Sequence, residues 1–176
     1  MRILPFLAVL TTCSVAPSLA FAGQLTPDEA DALRAEIQTL LEEFNAGNAD
    51  AFVEQTYAPL QRLFGGTEAF RKITQGTLDQ LRASGMKVVS MEQGQPTQTY
   101  AAGEEEVCFV PRLGIMEIDG QQLKSTTFMI AIRKSGGDDW TFLEGAGLRN
   151  NPKMLQMLLP KLAPDIELPA NRIEAL

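Results

Sequence analysis

The sequence predicts an α+β protein, with helices packed on one antiparallel sheet. The first observation behind this class is a change of period: apolar residues recur at helical spacing as far as Gly85 and alternate at strand spacing from Met86 onward. The second is Asp119-Gly120, which separates two long apolar runs and suits a two-residue hairpin turn. The third is length. With an export signal set aside, 154 of the 176 residues remain, enough for one domain with a sizeable core.

That signal occupies residues 1–22. Met1-Arg2 supplies one positive charge, residues 3–10 are nearly all apolar, and Ala20-Phe21-Ala22 is a small-x-small cleavage site. The apolar run is too short to span a membrane. The mature chain, residues 23–176, is therefore expected to form a single domain that works in the periplasm or outside the cell. Leu10-Thr11-Thr12-Cys13 also resembles a lipid-attachment box, with Thr12 where Gly, Ala or Ser normally precedes the cysteine. A lipoprotein anchored through Cys13 is the alternative.

Thr26-Pro27-Asp28-Glu29 starts the first helix: Thr26 caps, Pro27 takes the first helical position and Glu29 closes a capping box. Leu33, Ile37, Leu40, Leu41 and Phe44 follow at helical spacing, up to the breaker Ala46-Gly47-Asn48. A second helix from Asp50 turns Phe52, Val53, Thr56, Leu60, Leu63 and Phe64 inward, and Pro59 predicts a break near Tyr57-Ala58. A third runs from Thr67 to Gly85 with Phe70, Ile73, Thr77, Leu78 and Leu81 facing the core. Gly76 weakens its middle, which close packing against a neighbour would explain.

Residues 87–91 and 97–101 read as the first two strands. Residues 105–118 form a long one that Pro111 and Gly114 should bulge or bend. The return strand covers residues 122–133, and residues 140–146 form the last. Asn151-Pro152 then caps a short C-terminal helix carrying Met154, Leu155, Leu158, Leu159 and Leu162. Met154 and Met157 fit an amphipathic core helix, with a dimer contact as the alternative. The tail from Pro164 has too little apolar content to fold alone.

Composition excludes several functions. The mature segment keeps every charge but Arg2, so 14 basic residues face 22 acidic ones, a net charge of −8. That balance argues against nucleic acid or an anionic membrane as partner. The chain has no histidine, and Cys108 is its one cysteine beyond Cys13. A metal site lacks its usual ligands, a nucleophilic thiol lacks its base, and Cys108 reads as a small buried side chain. There is no phosphate-cradling glycine loop and no serine elbow. No metal and no cofactor are expected.

Alternation along the strands points to the candidate site residues. Cys108, Val110, Arg112, Gly114, Met116 and Ile118 share one face of the long strand, and Trp140, Phe142, Glu144 and Ala146 share one face of the last. Arg112 and Glu144 thus fall on apolar faces, where a lone charge is costly. They must be paired with each other, bound to a ligand's carboxylate or phosphate, or at the rim. Phe128, with Val110 and Met116, would wall a pocket around Arg112. Tyr57, beside the broken helix, offers a hydroxyl donor or simple packing.

Three helices followed by an antiparallel meander resemble the nuclear transport factor 2-like superfamily, over residues 26–148. Asn45-Ala46-Gly47-Asn48-Ala49-Asp50-Ala51-Phe52 is similar to the helix-turn-helix of such domains. The strands with Val110-Pro111-Arg112, Lys124-Ser125-Thr126-Thr127 and Trp140-Thr141-Phe142 look closest to small exported members. The resemblance implies a cone-like fold, with helices wrapping the concave face of the sheet around an apolar pocket. It also implies a range of activities, from isomerases and dehydratases to silent binding domains, so fold alone assigns none. The reading that follows is an exported, non-catalytic domain binding a small apolar or anionic ligand through Arg112, Glu144, Tyr57 and Phe128. The alternatives are an isomerase- or dehydratase-type enzyme using an acid–tyrosine pair, and a structural module that dimerises through its sheet face.

Overall fold

The computed structural model describes residues 21–96 and 98–176. The export signal, up to Ala20, and the lipid-attachment cysteine Cys13 lie outside them. The class is α+β, with six helices and a seven-stranded antiparallel sheet among the described residues.

α1 (Pro27–Ala46) carries the predicted capping box: the Glu29 N–H donates to the Thr26 hydroxyl and the Thr26 N–H to the Glu29 carboxylate, at 3.3 and 2.8 Å. Gly47 ends it at φ 93°, the left-handed conformation that favours glycine. The predicted second helix is two, α2 (Ala49–Gln55) and α3 (Ala58–Leu63), because Pro59 fits only the first turn of a new helix. Its proposed inward set is also smaller: Val53 and Thr56 are buried, whereas Leu63 and Phe64 are exposed.

In α4 (Thr67–Ala83) the buried stripe is Phe70, Thr74 and Leu78, so the expected core positions Ile73 and Thr77 turn outward. A Cβ on Gly76 would meet nothing within 4 Å, and close packing does not explain this glycine. Gly76→Ala should therefore raise stability by about 1 kcal/mol, the helix-propensity difference. A urea midpoint that falls instead would mean that the open space at Gly76 is used.

The sheet is organised by one long hairpin. β4 (Glu105–Ile118) and β5 (Gln121–Lys134) pair over their full lengths, from Glu105 opposite Lys134 to Ile118 opposite Gln121. Asp119 and Gly120 join them with φ of 51° and 78°, both in the left-handed region, as a type I′ turn requires. β3 (Thr99–Ala102) pairs with the start of β4, and the three-residue β1 (Phe21–Gly23) pairs with β3. β2 (Lys87–Gln93) pairs with the end of β4. β6 (Thr141–Glu144) lies beside the end of β5, and β7 (Arg172–Ala175) beside its start. β7 comes from the tail, which has too little apolar content to fold alone and takes its strand from β5.

The expected bulge is not in the long strand. β4 keeps unbroken register with β5, and the irregularity lies in β2 between Val88 and Ser90. Pro111 sits where β4 changes partner from β3 to β2, and its carbonyl accepts the Gly94 N–H at 2.7 Å. Its ring nitrogen thus falls on the outer edge, in the gap between two partners, where a missing N–H breaks no ladder bond.

Alternation gives the sheet two apolar faces, and both are covered. On the first, Cys108, Val110, Met129, Ala131 and Phe142 pack with Trp140 and with Leu33, Ile37, Leu40 and Leu41 of α1. On the second, Val107, Phe109, Phe128, Ile130, Ile132 and Leu143 pack under the C-terminal segment. That cover is Leu148 of α5 (Gly145–Arg149), Leu155 and Leu158 of α6 (Pro152–Leu158), and Leu159 and Leu162 just beyond. Cys108 is fully buried, and burial pushes its thiol up to about 12, so it is a thiol and not a thiolate at neutral pH.

Candidate functional site

The joint between α2 and α3 is pinned to β6. The Tyr57 N–H donates to the Phe142 carbonyl at 3.0 Å. Gln61, buried in α3, donates to the carbonyls of Val53 and Thr56 at 2.8 Å each and accepts the Thr67 hydroxyl at 2.8 Å. These bonds occupy the backbone groups that the break at Pro59 leaves open, so the joint is a fixed corner. Tyr57 is consequently held with its ring in the second core, 7% exposed, and its hydroxyl donates to Glu105 Oε2 at 2.8 Å. Burial, followed by the bond to Glu105, raises its pKa, so the hydroxyl stays protonated.

Around this pair lies a cleft of about 450 Å3 between the joint and the β5–β6 turn. It is lined by Pro59 and Arg62 of α3, by Arg133 and Lys134 of β5, and by Asp138 and Asp139 of the turn. Among the described residues neither Arg62 nor Lys134 has a carboxylate within 4.0 Å, so both cations are available. A larger cleft of about 570 Å3 between α1 and β2 contrasts with it. Its cation, Arg34, is already bonded to Asp31, to the Gln93 carbonyl and to the Gln95 side chain.

Arg133 is held differently. It lies opposite Glu106 in the hairpin and reaches it at 3.1 Å, meets Glu29 at 3.4 Å, and sets its guanidinium 4.5 Å from the centre of the Trp140 ring. Glu29 serves two partners at once. One oxygen takes Arg133 while the other caps Thr26, and the Thr26 backbone N–H is the main cause holding the Glu29 carboxyl below its ordinary value. The start of α1 is thereby tied to the sheet.

The four residues expected to form one site do not meet. Arg112 and Glu144 lie on the first face and pair with each other, Nη2 to Oε2 at 2.7 Å, and Arg112 Nη1 also approaches the Met129 sulfur at 3.3 Å. Thr127 donates to the second Glu144 oxygen at 3.3 Å, as does the Ala146 N–H at the start of α5, at 3.4 Å. Phe128, expected as a pocket wall beside Arg112, is fully buried on the opposite face, because neighbouring positions on a strand point in opposite directions. Tyr57 packs on that second face too.

Glu105, which completes the cleft, is not among the residues that strand alternation singles out. Its signal was its position at the start of β4, in phase with Val107 and Phe109. Among the described residues no three acidic or cysteine side chains gather closely enough to hold a metal ion.

The Arg112–Glu144 pair is asymmetric, and this gives a test. Arg112 is 11% exposed and Glu144 42%. Arg112→Met leaves a carboxylate that keeps two donors and water, a loss of about 1 kcal/mol. Glu144→Gln leaves a nearly buried guanidinium without its counter-charge, a loss of about 2–3 kcal/mol, and combining the two should recover part of it. Urea melts in which Arg112→Met is the more damaging single change would contradict this arrangement. No family model, curated protein or solved structure matches the chain, so its chemistry rests on these residues alone.

Proposed function

We propose that this is an exported, non-catalytic domain that binds a small carboxylate-bearing molecule in the Tyr57–Glu105 cleft. The observation that carries the reading is that one cleft is lined by two cations, Arg62 and Lys134, that have no ion-pair partner among the described residues. A guanidinium and an ammonium lining one cleft suit a carboxylate, which accepts charge-assisted bonds from both. Pro59, partly exposed in the cleft, offers apolar surface to the rest of the molecule. Export rests on Met1-Arg2, the apolar run and the Ala20-Phe21-Ala22 site. Membership of the nuclear transport factor 2-like superfamily, with its cone-like sheet, rests on the order of elements, helices before the long hairpin.

Tyr57 and Glu105 form an acid–tyrosine pair of the kind that an isomerase or dehydratase would need. Binding is favoured because the Tyr57 hydroxyl has one proton and gives it to Glu105. The pair holds the corner and leaves no hydroxyl donor for a substrate oxygen.

Titration with benzoate, and with uncharged benzamide as control, tests the reading by amide chemical shifts. Benzoate should move the resonances of Ala58, Gly137 and Thr141 around the cleft, and benzamide should not. No movement at about 10 mM benzoate, a binding free energy weaker than about 3 kcal/mol, would remove the cleft as a carboxylate site.

A further inference from the structure

We infer that two copies of this chain pair through the outer edge of β7, joining their sheets across a two-fold axis at Ile173. β7 is an edge strand exposed at all four residues, Arg172-Ile173-Glu174-Ala175, and among the described residues it pairs only with β5. The Leu176 N–H donates to the Gln122 carbonyl at 3.0 Å, which places residues 172, 174 and 176 with their backbone groups toward β5. By the two-residue period, Ile173 and Ala175 turn their N–H and C=O groups outward. Such an edge is a template for another strand unless something blunts it.

The occupant follows from charge. Antiparallel self-pairing centred on Ile173 lets the two Ile173 residues exchange both backbone bonds. It also sets Arg172 of each copy opposite Glu174 of the other, two opposite-charge pairs on one face of the joined sheet. Centring on Glu174 sets the two glutamates face to face, and centring on Ala175 sets Glu174 against Leu176. A shift by one residue meets an outward group with an inward one. One register therefore satisfies both the hydrogen bonds and the charges.

The same register brings the two Ile173 side chains, each 64% exposed, together on the opposite face. Within one copy the Arg172–Glu174 contact is loose, at 3.8 Å, and leaves both groups free for a partner. Lys124, opposite Glu174 across β5, adds a second cation beside that carboxylate. A four-residue strand buries less than the roughly 1,200 Å2 of a stable interface, so the pairing is reversible and depends on concentration.

Sedimentation velocity of the purified protein from about 10 µM to 500 µM, the range where weak dimers form, tests this. The mass should rise from one chain toward two. Glu174→Arg, which opposes Arg172 with arginine, should hold it at one chain, and R172E/E174R should restore the rise. Ile173→Pro removes an outward N–H that β5 does not use, and should also give one chain. Unchanged thermal melts show that the variants fold. One chain at every concentration in the wild type overturns the inference. So do growth beyond two chains, a dimer that survives Glu174→Arg or Ile173→Pro, and a charge swap that fails to restore it.

Discussion

Trp140→Ala is expected to lower stability by about 3–5 kcal/mol, the cost of truncating a large aromatic in a packed core. Trp140 is 8% exposed and packs with Leu25, Ile37 and Phe142, while its ring is the surface on which Arg133 lies. The change therefore opens a cavity and leaves a buried guanidinium over empty space. A loss below about 1 kcal/mol in urea melts would place the indole at the periphery.

Arg133→Met should cost about 3 kcal/mol by a different route. Arg133 is 10% exposed and Glu106 17%, so removing the cation strands a nearly buried carboxylate. Methionine keeps the apolar stem, which isolates charge from volume. Arg133→Lys keeps the charge but loses the planar fork that serves Glu106 and Glu29 at once, and should recover only part of the loss. The effects of Trp140→Ala and Arg133→Met should add to less than their sum, since each removes the contact between them. Additive losses, or a wild-type melt for Arg133→Met, would contradict the network.

Much of the fold was legible because local chemistry decided it. The capping box at Thr26, the break at Pro59, the Asp119-Gly120 turn and the cap at Asn151 each use a side chain within three residues of the backbone it governs. Tertiary packing decided what was missed. Ile73 and Leu63 are apolar and correctly spaced, yet among the described residues no element covers them. β7 needs β5 as a template, and nothing in Arg172-Ile173-Glu174-Ala175 alone calls for a strand. The Arg112–Glu144 pair was among the arrangements that alternation allowed. Phe128 was placed beside it because alternation gives the faces within one strand but not which faces of two strands coincide. Glu105 is matched to Tyr57 across 48 positions of chain, a pairing that only the folded corner creates.

The affinity for benzoate of the wild type and of Arg62→Gln, compared by calorimetry at one low ionic strength, measures most directly whether the cleft binds through its free cations. Arg62 is exposed and lies outside both cores, so the substitution should leave the fold intact. Removing a charge-assisted bond worth about 1.5–3 kcal/mol should weaken binding by roughly 10- to 150-fold. Equal affinities in the two proteins would contradict a carboxylate site between Arg62 and Lys134.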